Sequence, residues 1–211
     1  MQTVTRILVW DYPTRVFHWS LAFSFFGAYL TAESERYRDI HVALGYVMAG
    51  LLVFRLVWGL VGTHYARFTQ FIARPAEVVA YLRGLLQGKP VHYLGHNPAG
   101  AVAIVLLLLL GVLISVSGVV LYQEWGDEDL WEELHEIAAN LMLMVVFIHV
   151  AGVVISSRLH HENLVRAMLT GYKTRALPNS SPTVRRYTGV GWLMLLAMVI
   201  FLIGQISDVL P

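Results

Sequence analysis

The chain has 211 residues, of which 57% are hydrophobic and only 14% charged, with mean hydropathy +0.61 and formal net charge +1. A soluble domain carries about 25% charged residues, so this composition points away from a soluble protein and toward the lipid bilayer. The absence of cysteine excludes disulfides, iron–sulfur ligation, zinc–thiolate sites and covalent c-type haem attachment, and leaves nine histidines as the metal-binding candidates.

In chain order, the opening "MQTVTRILVWDYPTR" contains Arg6, Asp11, Pro13 and Arg15 and no small-residue cleavage pattern, so the first apolar segment is expected to be retained. A hydrocarbon core of about 30 Å needs about 20 apolar residues of helix. Five segments are predicted to span: 16–32, 41–62, 98–121, 134–156 and 189–207. Between the second and third, "HYARFTQFIARPAEVVAYLRGLLQGK" (64–89) is amphipathic around Pro75 and predicts a helix lying on the membrane surface. Residues 1–175 form the expected main domain. Residues 176–211 add a polar linker and a fifth, C-terminal transmembrane helix.

Lys and Arg in the connections set the orientation. Arg6, Arg15, Arg67, Arg74, Arg83, Lys89, Arg158, Arg166, Lys173, Arg175, Arg185 and Arg186 fall on one side of five spans, against Arg36 and Arg38 on the other. The second side also holds the acidic run "EWGDEDLWEE", so the N-terminus is expected inside and the C-terminus outside.

This topology sorts the histidines by depth. His41 and His135 open the second and fourth spans on the outer side; His18 and His149 lie toward the inner side. His135 and His149 are fourteen residues apart, about 40° short of four turns, so they share a helix face about 21 Å apart along the axis. Two pairs result, His41 with His135 and His18 with His149. Each can supply both axial ligands of one haem iron from facing helices, and without cysteine that haem is b-type. Interfacial histidines, a proton relay or another metal are the competing readings.

Arg55 follows His41 by fourteen residues and shares its face. It either neutralises a haem propionate or snorkels to the inner surface. Arg15, Arg36 and Arg38 are further propionate candidates or surface anchors. Gly27, Gly45, Gly100, Gly118 and Gly152 either leave room for a macrocycle or allow close helix packing. His96 in "YLGHNPAG" is either a capping residue or lines a quinone pocket, with Asn97 donating to a quinone carbonyl. His64, His92, His160 and His161 are expected at solvated or interfacial positions.

Five stretches, "VWDYPTRVFHWS", "HVALGYVMAGLLVFRLVWGLVG", "YLGHNPAGA", "HEIAANLMLMVVFIHVAGV" and "HHENLVRAMLTGYK", together resemble the bacterial cytochrome b561 superfamily, which includes the b-type cytochrome subunit of nickel–iron hydrogenases. The similarity covers residues 5 to about 175. It implies an all-α integral membrane helical bundle with a four-helix dihaem core, the fifth helix being extra. It also implies two haem b groups on the His18–His149 and His41–His135 pairs, quinone chemistry near one of them, and a redox partner.

The expected function is electron transfer between a membrane quinone and a partner, a c-type cytochrome or an oxidoreductase subunit, in a bacterial inner (cytoplasmic) membrane. No nucleic-acid partner is expected. Two rivals are a stand-alone quinone-coupled oxidoreductase such as a superoxide oxidase, and a haem-free transporter or proton channel.

Overall fold

The computed structural model describes residues 4–89, 91–176 and 184–207. Most of the expected linker, 177–183, lies outside the described residues. The long helices are α1 (Tyr12–Thr31), α2 (Arg38–Val61), α4 (Pro98–Tyr122), α5 (Glu128–Leu159) and α7 (Thr188–Ser207). The shorter elements are β1 (Val4–Leu8), α3 (Pro75–Leu86), α6 (Leu164–Thr170) and β2 (Tyr172–Ala176). All five predicted spans are helical.

Their ends follow from capping chemistry. Asp11 accepts from the Thr14 amide at 2.7 Å with Pro13 in the first turn, so α1 begins four residues before the predicted span. Asn97 and Pro98 start α4 in the same way. Asp127 caps α5, and Glu128 and Asp129 occupy its first turn, where acidic groups complement the helix dipole. Much of the expected acidic loop is therefore the first turns of α5, which reaches 32 residues.

Among the described residues, four stretches have both the length and the apolarity to cross a membrane: Glu35–Val61, Pro98–Tyr122, Glu128–Leu159 and Thr188–Gln205. At 20 residues α1 has the length but less apolarity. It packs against α2 and α7, which shield polar side chains such as the buried Ser24 and Thr14. Phe17, Val47, Leu51, Leu52 and Leu108 form one core cluster, joined by Met194, Met198, Phe201 and Leu202 of α7. The fifth helix thus packs onto the bundle through α1 and α2.

A second cluster, Phe25, Met48, Ile114, Ala138 and Met142, draws on α1, α2, α4 and α5. The backbone of α5 runs close along α4 and stands off from α1 and α2, which it meets through side chains. That seam is where flat groups can enter.

One end of the bundle carries a cap absent from the sequence reading. β1 and β2 pair antiparallel, Leu8 opposite Tyr172 and Val4 opposite Ala176. Gly171 ends α6 at φ 87°, and its carbonyl accepts from the amides of Val9 and Trp10 at 2.9 and 3.1 Å. A Cβ there would lie 2.6 Å from the Trp10 carbonyl oxygen, so the turn requires glycine. Val9, Trp10, Tyr65 and Ala167 pack together with Leu94, which gathers the chain before α1, after α2, before α4 and after α5 at this cap end. Beside it α3 buries Tyr81 and leaves Val79, Leu82 and Leu86 exposed, the apolar face expected of a surface-lying helix.

Candidate haem-binding sites

At the end opposite the cap, α2 and α5 bring His41 and His135 together with ring centroids 6.1 Å apart, planes inclined by 65°. Two imidazoles whose nitrogens each sit about 2 Å from one metal have centroids about 6 Å apart. The Nδ1 of His41 donates to the Ala28 carbonyl oxygen at 2.9 Å. The Nδ1 of His135 lies 2.9 Å from Ser117 Oγ, whose own proton goes to the Leu113 or Ile114 carbonyl. Ser117 Oγ therefore accepts from His135. In both rings Nδ1 carries the proton and the Nε2 lone pair faces away from these bonds, the arrangement that metal-bound histidines adopt. A Cβ at Gly118 would come within 3.0 Å of His135 Cε1, so glycine lets this ring lie against α4.

At the cap end, His18 of α1 and His149 of α5 lie within electrostatic range of each other. His18 Nδ1 is buried without a hydrogen-bond partner, as is Trp19 Nε1 beside it. Arg55 is only 4% exposed, and its guanidinium lies 4.9 Å from the Phe68 ring and 5.8 Å from that of Phe71. Its Nη1 is buried and unpaired. Arg55 is thus buried among aromatic rings with one donor lacking a hydrogen-bond partner.

His96 is wedged between Trp10, at 4.6 Å between ring centroids, and Phe71, at 4.5 Å. Its Nδ1 is also buried and unpaired. Burial first, then the charges of Arg55, Lys173, His149 and His18, push its pKa down to about 3, so the ring is neutral. Asn97 spends its Oδ1 on the Gly100 amide at 2.7 Å, which leaves its amide N–H groups. Arg15 donates to the Leu169 carbonyl and stacks over Tyr12, tying α1 to α6. Arg36 and Arg38 are exposed, Arg36 over the Tyr37 ring at 5.6 Å.

Residues 9–171 match the prokaryotic cytochrome b561 family. The chain belongs to that family. The matched stretch holds all four helices of the histidine bundle and stops before α7. A probable Ni/Fe-hydrogenase B-type cytochrome subunit of Azotobacter vinelandii is 28% identical, covering 80% of this chain and 89% of its own. Proteins of the same description from Rhizobium leguminosarum bv. viciae and Rhodobacter capsulatus are 24% and 23% identical, covering 78% and 81% of this chain and 87% and 82% of their own. No solved structure matches. Membership makes the chain a multi-pass membrane cytochrome of b type.

The residues of this cytochrome fit a non-covalent haem. Among the described residues no three His, Cys, Asp or Glu side chains converge on a lone metal ion. The histidines come in pairs, which is what a bis-imidazole iron requires. The small residues divide between the two readings given for them. A Cβ at Gly27 would strike Leu44 at 2.7 Å, so that glycine serves packing, whereas Gly45 and Gly152 face open space. Orphaned donors gather at the cap end, on Arg55, His18, His96 and Arg67, where acceptor-rich propionates would satisfy them.

Three features of this cytochrome escaped the sequence reading. Ser117 sets the His135 tautomer. Asp11, fully buried, accepts from Trp58 Nε1 at 3.1 Å and Thr63 Oγ at 2.5 Å besides capping α1, and so fixes α2 against α1. An aspartate two residues before a proline at the head of an apolar run is a legible cap signal; its two distant partners are not. Finally, His92 is not merely solvated: its Nε2 lies 3.2 Å from Glu162 Oε2, which also takes Lys173 Nζ at 3.2 Å.

Proposed function

We propose that this chain is a dihaem b-type cytochrome that carries electrons between a redox partner at the outer side and a membrane quinone at the inner side of a bacterial cytoplasmic membrane. The observation that carries it is the tautomer-fixed His41–His135 pair, with a second pair one 21 Å axial step below on the same α5 face. His41 and His135 would hold one haem, His18 and His149 the other, with Arg55 facing a propionate of the second. Haem iron, when bound, supplies a one-electron couple. The protein holds the imidazoles at two depths and orients His41 and His135 through Ala28 and Ser117.

The cap end carries the twelve Lys and Arg residues and therefore faces inside, with the C-terminus outside. The relatives are described as Ni/Fe-hydrogenase subunits, which supports an oxidoreductase subunit as partner, a c-type cytochrome being the other candidate. A stand-alone superoxide oxidase would use a basic outer surface to capture its anion. The outer end here presents Glu124, Asp127, Glu128, Asp129, Glu132 and Glu133, which favours the partner reading.

A pyridine haemochrome spectrum of the purified protein tests the proposal. Two haem b per chain are expected; a colourless, folded protein overturns it. Quinone chemistry is tested separately, by oxidation of the reduced protein with a short-chain ubiquinone.

A further inference from the structure

At the cap end four titratable side chains from three segments meet outside the haem pairs. Glu162, between α5 and α6, receives Lys173 of β2 and His92 of the segment before α4 on one oxygen, Oε2, at 3.2 Å each. His160, at the end of α5, sets its ring edge-on to His92 with centroids 4.9 Å apart. The side chains grade inward: His92 is 25% exposed, Glu162 14% and Lys173 4%. Glu162 also lines a surface groove of about 390 Å3 together with Arg158, His161 and Asn163. Tyr93 offers its carbonyl to Lys173 at 3.5 Å and sets its ring edge-on to Tyr81 of α3.

A structural tie between a strand and a helix end needs one ammonium and one carboxylate. It does not need an imidazole on the same oxygen and a second imidazole set edge-on against the first. Lys173 is among the charges that act on the buried His96, with Arg55, His149 and His18. The unpaired, buried Nδ1 of His96 is the open position at the inner end of the series. At the outer end, burial first and the charge of Lys173 hold His160 below its ordinary range against the pull of Glu162.

We propose that His160, His92, Glu162 and Lys173 form a proton relay from water at the inner surface to the quinone-reacting end of the cap-side haem site. The inference rests on the quinone reading above. Reduction of a quinone to the quinol takes two electrons, delivered singly from haem iron, and two protons, each forming one O–H bond. For each proton, an N–H bond of the Lys173 ammonium breaks and an O–H bond forms on the quinone oxygen. Glu162 then returns a proton taken from His92, and His92 is refilled through His160 from water.

The test is single-turnover oxidation of the dithionite-reduced holoprotein by decylubiquinone, followed at the haem bands between pH 6 and 8, in H2O and D2O. Glu162→Gln is expected to slow oxidation at least about tenfold, flatten the pH profile and enlarge the solvent isotope effect, with Glu162→Asp restoring all three. His92→Asn, at a more exposed position, is expected to give the same pattern with less risk to folding. Oxidised-minus-reduced infrared spectra of the holoprotein should show a carboxyl band that shifts in D2O and is missing in Glu162→Gln. If the parent protein is oxidised by the quinone and the variants match its rate and pH profile, the relay is overturned while the quinone reading stands. If the parent is not oxidised at any pH, the quinone reading falls and the relay with it.

Discussion

His41 and His135 approach across α2 and α5 with ring centroids 6.1 Å apart, and each gives its Nδ1 proton to an oxygen of a neighbouring helix, Ala28 of α1 and Ser117 of α4. Four helices thus converge on one imidazole pair before any iron is bound. Pre-oriented ligands lose little freedom on coordination, so each pair should bind as a unit.

Substitution of one ligand should therefore cost one haem. His135→Ala is expected to leave one haem b per chain and His149→Ala to leave the other. Pyridine haemochrome counts and the low-temperature α-band check this; loss of the same spectral component in both variants would contradict the pairing.

Ser117→Ala keeps the ligand but removes its acceptor. His135 then loses basicity and its fixed orientation, so the midpoint potential of the outer haem should rise and its retention weaken about tenfold or more. A spectroelectrochemical titration should show one wave displaced and the other in place.

Arg55→Met should weaken the cap-side haem without destabilising the haem-free protein. A buried, unpaired guanidinium is costly until an acceptor arrives, so an apolar replacement of similar length removes that cost. Haem transfer to apomyoglobin, compared with thermal unfolding of the haem-free chain, separates the two effects.

Asp11→Ala should destabilise the fold by about 4 kcal/mol, because the Thr14 amide, Trp58 Nε1 and Thr63 hydroxyl all lose their acceptor in a buried place. Asp11→Asn, which keeps one oxygen, should cost about half as much. Thermal melts in detergent give both values.

The five helices and the depth of each histidine were readable because they are local quantities. An apolar run of about 20 residues sets a span, and 3.6 residues per turn puts His135 and His149 on one face. The family resemblance rested on the same stretches, and the match over residues 9–171 agrees with it. Where a reading left two choices, as at Arg55 and the glycines, local pattern could not decide between them. Whether Gly27 serves packing while Gly45 faces open space depends on which side chain the opposite helix presents there.

By itself the sequence determined which stretches are long helices, that His135 and His149 share one helix face, and that any haem here is held without a thioether bond. Only the tertiary structure decided that Ser117 rather than another hydroxyl orients His135, that Asp11 ties α1 to α2, that α7 packs on both, and that Glu162 meets Lys173 and His92. Each of these joins residues far apart in the chain through one hydrogen bond or one packed face. Their register is set by how whole helices nest and by a five-residue strand pair too short to leave a periodic signal.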